Sequence, residues 1–104
     1  MTESTEQSSR PQPNDAAIAA TFERLLAHLR HRTDVQNVDV MGTAGFCRNC
    51  LADWLMEADG SLSKEEAREY VYGMPYGDYK DRHQTPASEE QLQRMKESVA
   101  KNAG

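Results

Sequence analysis

Two cysteines three positions apart, Cys47 and Cys50, are the residues of this chain with the most specific chemistry. They lie in segment 45–55, which also holds the only tryptophan, Trp54. A Cys-x-x-Cys pair can exchange electrons with a disulfide, supply half of a zinc site, or fill a core with two small side chains. Which of the three applies depends on the backbone that carries the pair and on whether the thiols face solvent.

The overall composition limits the classes of protein to which the pair could belong. The chain has 104 residues, a net charge of -5 and a mean hydropathy of -0.83, which indicates one polar domain. The acidic balance argues against nucleic acid or acidic lipid as a partner, because both are polyanions. The longest apolar run, 16–20, is far too short to span a membrane, and the N-terminal residues do not resemble a secretory signal. We therefore expect a cytoplasmic protein with reduced cysteines.

The hydrophobic pattern predicts an all-α fold, a compact single domain of four or five helices. Residues 1–13 are polar and contain two prolines, so we expect a flexible tail before a helical domain over 14–100 and a frayed end at 101–104. The first helix should run from about residue 14 to 32, and capping boxes at Ser63 and Ser88 should begin two later helices. The predicted core combines residues of the first helix and of the cysteine segment: Phe22, Leu25, Leu26, Leu29, Phe46, Leu51, Trp54 and Leu55.

The cysteine pair is predicted to lie inside a long central helix over 35–58. On a helix that turns about 100° per residue, both thiols fall on its apolar face, and four residues fall on the opposite side. Burial raises the pKa of a thiol and makes it a poor nucleophile, so this placement favours a packing role. The four residues on the opposite side are Arg48, Asn49, Ala52 and Met56.

A helix break at Gly45 would change this interpretation. Cys47 would then lie in the first turn of a new helix, where the dipole lowers a thiol pKa. In that case the redox hypothesis gains support, with Cys47 attacking a disulfide and Cys50 resolving the mixed disulfide.

A zinc site would need ligands beyond the two thiols. His28 and His31 of the first helix could face Cys47 and Cys50 across a helix interface and complete a Cys2His2 set. His31 is more simply a cation at a helix C-terminus, which leaves His28 as the better ligand candidate. We expect no cofactor if the thiols only pack, and zinc if they bind a metal.

Four tyrosines fall within ten residues of one another in the C-terminal half. Tyrosine offers apolar area with a hydrogen-bonding tip, which suits either a partly buried cover over the core or an interface. The cover is the simpler interpretation, and a protein-interaction surface is the alternative. The candidate surface consists of Tyr70, Tyr72, Met74, Tyr76 and Tyr79.

Several separate motifs resemble one family of short bacterial proteins, domain of unknown function 1244. They are residues 34–37, 45–51 with Trp54, 64–69 and 72–76, and the resemblance extends over about 22–91. It implies a small all-helical cytoplasmic protein and supplies no activity. The family pattern often has an acidic residue where this chain has His31, which argues against a shared metal site there.

The sequence thus favours a non-enzymatic binding or protein-interaction module. Its expected partner is a second copy of the chain, as a homodimer, or another protein. The two alternatives are a zinc-binding protein that uses Cys47, Cys50 and His28, and a thiol-redox protein.

Overall fold

The computed structural model describes residues 10–103, and this part of the chain is all-helical. The predicted all-α class is confirmed, but residues 10–103 form six α-helices rather than four or five. Residues 1–9 of the predicted tail and Gly104 of the predicted frayed end lie outside the described residues. The helices are α1 (Asp15–His31), α2 (Asn37–Ala44), α3 (Arg48–Ala58), α4 (Lys64–Tyr72), α5 (Tyr76–His83) and α6 (Glu89–Ala100), followed by a 3₁₀ turn (Lys101–Ala103).

The helix ends follow local capping signals. Helix α1 begins where the Asn14 side chain accepts a hydrogen bond from the backbone N–H of Ala17 at 2.8 Å. The predicted capping boxes at Ser63 and Ser88 are both present and begin α4 and α6. Helix α4 ends at Gly73, which has the left-handed φ of 75° that favours glycine.

The predicted long central helix is wrong, because the chain breaks at Gly45. This residue has a φ of 76° and ends α2, with its backbone N–H donating to the carbonyl oxygen of Met41. Cys47 is extended, with φ -142° and ψ -174°, and α3 begins at the next residue. A left-handed residue reorients the chain, so α2 and α3 are separate elements that face different neighbours.

The core lies where α1, α3 and α4 meet. It is formed by Leu26, Leu51, Ala52, Ala67 and Val71. Around this cluster pack partly buried apolar side chains, and α5 contacts α4 at one side. These surrounding residues are Phe22, Leu29, Phe46, Leu55 and Met56.

Two residues of the predicted core lie at the surface instead. Trp54 is 53% exposed and Leu25 is 38% exposed. Phe46 and Cys47 precede α3, so Leu51 and Ala52 define its inner face, and Trp54 falls on the solvent side. On α1 the neighbouring Leu26 takes the inward direction, and Leu25 lies on the flank.

Helices α2 and α6 form a second layer beside this core, and the described chain is elongated, with extents of 46 × 31 × 24 Å. The 3₁₀ turn belongs to this layer, since the Asn102 side chain donates to the carbonyl oxygen of Gly45 at 2.8 Å. Residues 101–103, which we expected to fray, thus contact the α2–α3 break. Over residues 10–103, every helix is too short or too polar to cross a membrane.

Candidate functional site

The cysteine pair sits at the N-terminus of α3. Cys47 is the N-cap residue, and its carbonyl oxygen accepts hydrogen bonds from the backbone N–H groups of Cys50 at 3.0 Å and Leu51 at 3.3 Å. Both cysteines are free thiols. Cys47 is buried, with 7% of its surface exposed, and Cys50 is half-buried.

The helix break does not produce the reactive Cys47 that the sequence suggested. Burial raises the pKa of the Cys47 thiol, and this outweighs the backbone N–H groups of Cys50 and Asn49, which favour the thiolate. The thiol of Cys47 therefore stays protonated near neutral pH. The expectation that a break at Gly45 would lower its pKa was wrong, because Cys47 is buried despite the break.

Arg48 follows Cys47 and is buried, with 2% of its surface exposed. One guanidinium nitrogen, Nη1, donates to the Val35 carbonyl oxygen at 2.9 Å and to Asn37 Oδ1 at 3.0 Å. The other, Nη2, donates to the carbonyl oxygens of Arg32 at 2.9 Å and Leu29 at 3.3 Å. One side chain thus joins the end of α1, the α1–α2 connection, the start of α2 and the start of α3.

The positive charge of Arg48 is stabilised by the carbonyl dipoles at a helix end and by an aromatic ring. Two of its acceptors are carbonyls at the C-terminus of α1, where the helix dipole is negative. The guanidinium carbon also lies 5.6 Å from the centre of the Tyr79 ring, a cation–π contact. The sequence placed Arg48 on a polar face, and the structure places it at the centre of this junction. The spacing already carried this signal, since Arg48, Ala52 and Leu55 share one helix face.

A hydrogen-bonded tyrosine network extends the junction towards α4 and α5. The Tyr72 hydroxyl accepts from Asn37 Nδ2 at 2.9 Å and donates to Asn49 Oδ1 at 2.9 Å. Asn49 Nδ2 in turn donates to the Tyr76 hydroxyl at 3.2 Å. The Tyr72 ring meets the rings of Tyr76 and Tyr79 edge-on, at centroid distances of 5.0 Å and 4.4 Å. Burial raises the pKa of Tyr72, so its hydroxyl stays neutral and serves as a hydrogen-bonding hub.

The residues of the candidate tyrosine surface therefore differ in their burial. Tyr72 and Tyr79 are buried in the junction, whereas Met74 and Tyr76 are half-buried and Tyr70 is exposed. Two of the five side chains are thus buried, two are half-buried and one is exposed. Tyr72 and Tyr79 cannot form part of an exposed interaction surface.

The structure does not bring His28 to the cysteine pair. His28 is exposed and lies about 160° around α1 from the buried Leu26, so it faces away from the core. Among residues 10–103, no three His, Cys, Asp or Glu side chains come together as ligands for a metal ion. The zinc site over Cys47, Cys50 and His28 thus stays a prediction from the sequence.

Fold and site together define a small all-α protein, built around a buried arginine–tyrosine junction with a Cys-x-x-Cys pair at a helix start. The chain belongs to the family described as "Protein of unknown function (DUF1244)", whose model matches residues 35–97. The match contains the cysteine pair, Arg48 and the tyrosine network, while α1 lies before it. A search of the curated proteins found no match.

Proposed function

We propose that the protein is a non-enzymatic interaction module that works as a homodimer, with the α2–α6 layer as its contact surface. The observation that carries this proposal is the poor burial of that layer. Within the described chain, neither α2 nor α6 contributes a buried side chain, although both helices are fully described. The apolar residues of the two helices are Val38, Val40, Met41, Leu92, Met95 and Val99.

Helix α6 faces α2 with only one side of its apolar stripe. Gln91 and Met95 are half-buried against α2, and Gln91 Nε2 donates to both carboxylate oxygens of Asp39 at 3.1 Å. Leu92 and Val99 lie seven residues apart and so share the neighbouring flank, where they are 46% and 41% exposed. This flank is two turns long and leaves large apolar side chains in contact with water.

A second copy of the chain fits this flank. Two such pairs of helices that pack together form a four-helix layer, and two-fold homodimers are the commonest oligomers. Charge also favours an antiparallel pairing of two α6 helices. Helix α6 begins with Glu89 and Glu90, and Lys101 follows its end, so each acidic start would meet a basic end of the partner.

The first test is the molar mass of the protein in solution, measured by sedimentation equilibrium over a range of concentrations. We expect a dimer for the wild type and a shift towards monomer for Leu92→Asp and Val99→Asp. Because a buried Leu or Val contributes about 1.5–3 kcal/mol, each change should raise the dimer Kd by at least tenfold. The matched control is Ile18→Asp, since Ile18 is 54% exposed on α1, outside the proposed surface, and should leave the dimer intact.

A charge exchange tests the orientation without removing apolar area. Glu90→Lys and Lys101→Glu should each weaken the dimer, and the two changes together should restore it. Circular dichroism should give the same helix content for all of these variants. A wild-type protein that is monomeric even at high micromolar concentration would refute the proposal.

A further inference from the structure

We infer that Cys47 and Cys50 form a disulfide-exchange site in which Cys50 is the attacking thiol and Cys47 the resolving thiol. This is the reverse of the order that the sequence suggested. It does not depend on the dimer, because it rests on the start of α3 and not on the α2–α6 layer. The site would react with an accessible disulfide flanked by apolar groups. Because each chain reacts once, the pair is a site of covalent modification.

The helix start holds the two thiols side by side. Cys47 is the N-cap residue of α3, and Cys50 is the third residue of the helix. The same two positions carry the capping boxes Ser63–Glu66 and Ser88–Gln91, where each side chain reaches across to the other residue's backbone. Cys47 and Cys50 therefore occupy two positions whose side chains are neighbours at the helix start. An N-cap residue and the third residue of a helix are neighbours on its surface, which is the spacing that a Cys-x-x-Cys disulfide joins.

Accessibility decides which thiol attacks. Cys47 is buried and Cys50 is half-buried, so an external disulfide can reach Cys50 first. Thiol–disulfide exchange requires that the attacking sulfur reach the partner in line with its S–S bond, which a buried thiol cannot do. Cys47 is nevertheless next to Cys50 and can attack it afterwards.

The surface beside Cys50 indicates the kind of disulfide that would bind. Trp54 lies one helical turn beyond Cys50 on the same side, is 53% exposed, and has its ring centre 5.9 Å from that of Phe46. An exposed indole beside a reachable thiol offers an apolar contact for the group attached to the disulfide. Because the chain has a net charge of -5, a neutral or cationic disulfide should react faster than an anionic one.

The reaction balances as two successive exchanges. The Cys50 thiolate attacks one sulfur of the disulfide R–S–S–R, an S–S bond forms to Cys50, and one R–S⁻ leaves with the electron pair and takes up a proton. Cys47, after losing its proton to water, attacks Cys50 Sγ and releases the second R–S⁻. The protein dithiol is oxidised to an intramolecular disulfide, and R–S–S–R is reduced to two R–SH.

The test uses the native protein and dithiodipyridine, a neutral aromatic disulfide whose released thione absorbs light. The wild type should release two equivalents of thione and lose two hydrogens in mass. Cys47→Ser should release one equivalent and keep one pyridyl adduct, because the resolving thiol is gone. Serine is a preferred N-cap residue, so this variant keeps the helix start. Cys50→Ser should react more than about tenfold more slowly, since the remaining thiol is buried.

Two further comparisons keep the inference falsifiable. Trp54→Ala should slow the reaction with dithiodipyridine several-fold and leave the rate with oxidised glutathione, a polar anionic disulfide, nearly unchanged. Fast reaction of Cys50→Ser with slow reaction of Cys47→Ser would overturn the assigned order. A wild type whose thiols react only after unfolding in urea would overturn the site itself.

Discussion

Replacing Arg48 by methionine should destabilise the protein more than any other arginine substitution in the described chain. Methionine matches much of the apolar stem but donates no hydrogen bond, so the change removes all four bonds of the guanidinium, at 2.9–3.3 Å. Three of the acceptors are backbone carbonyls at the end of α1 and in the α1–α2 connection. Leaving a buried polar group without its partner costs about 1–3 kcal/mol, and water can reach some of these carbonyls. We expect a total loss of about 3–5 kcal/mol in the free energy of unfolding, against roughly 5–15 kcal/mol for a whole domain.

The measurement is urea unfolding followed by the far-ultraviolet circular dichroism of the helices, with the linear extrapolation to water. The matched control is Arg24→Met, since Arg24 is exposed on α1 and the same chemical change there should cost no more than about 0.5 kcal/mol. Arg48→Lys should fall between the two, because an ammonium cannot reproduce the planar fork that spans acceptors on several segments. If Arg48→Met costs no more than Arg24→Met, the junction does not hold these helices together and the reasoning is refuted.

Three further outcomes are expected. Gly45→Ala should destabilise by roughly 1–2 kcal/mol, because the residue has a φ of 76° and a Cβ would lie 2.6 Å from Asn102 Oδ1. Gly60→Ala, with open space around it, should change little in the same urea titration. Stability should fall as the pH rises above about 9, because the pKa values of Cys47 and Tyr72 are raised above 9.0 and 10.0 in the folded state and the unfolded chain ionises first. Each group can contribute up to about 1.4 kcal/mol per pH unit to that fall, and Cys47→Ser should remove the earlier part of it. Elemental analysis of protein purified without chelator should find no stoichiometric zinc, and zinc that disappears in Cys47→Ser would contradict this.

Local signals in the sequence predicted the local structure well. The capping boxes at Ser63 and Ser88 were both placed correctly, because a cap depends on about four consecutive residues whose side chains and backbone bond to one another. Gly73 ended α4 for a similar reason, since only glycine takes a left-handed φ at low cost. The all-α class followed from the helical spacing of apolar residues, and the family from short motifs.

Local sequence signals could not decide whether the helix breaks at Gly45. A glycine inside a helical pattern is compatible with a continuous helix and with a C-cap, and the difference lies in contacts made far along the chain. Here those contacts are the Asn102 bond to the Gly45 carbonyl, across 57 residues, and the acceptors that Arg48 finds in α1 and α2. The predicted apolar face included Phe46 and Cys47, which precede α3, and it therefore put Trp54 in the core and Arg48 on the surface, the opposite of what the structure shows.

The order in which the helices can assemble follows from the reach of these contacts. Arg48 bonds to partners only 11–19 residues earlier in the chain, whereas Gln91 of α6 bonds to Asp39 of α2 across 52 residues. Closing a loop costs about 0.6 kcal/mol more for each doubling of its length, so the arginine junction closes at a lower entropic cost than the α2–α6 pair. The nascent chain can thus organise α1, α2 and α3 around one guanidinium before α6 has docked. The layer that carries the exposed flank of Leu92 and Val99 is then the last to be completed.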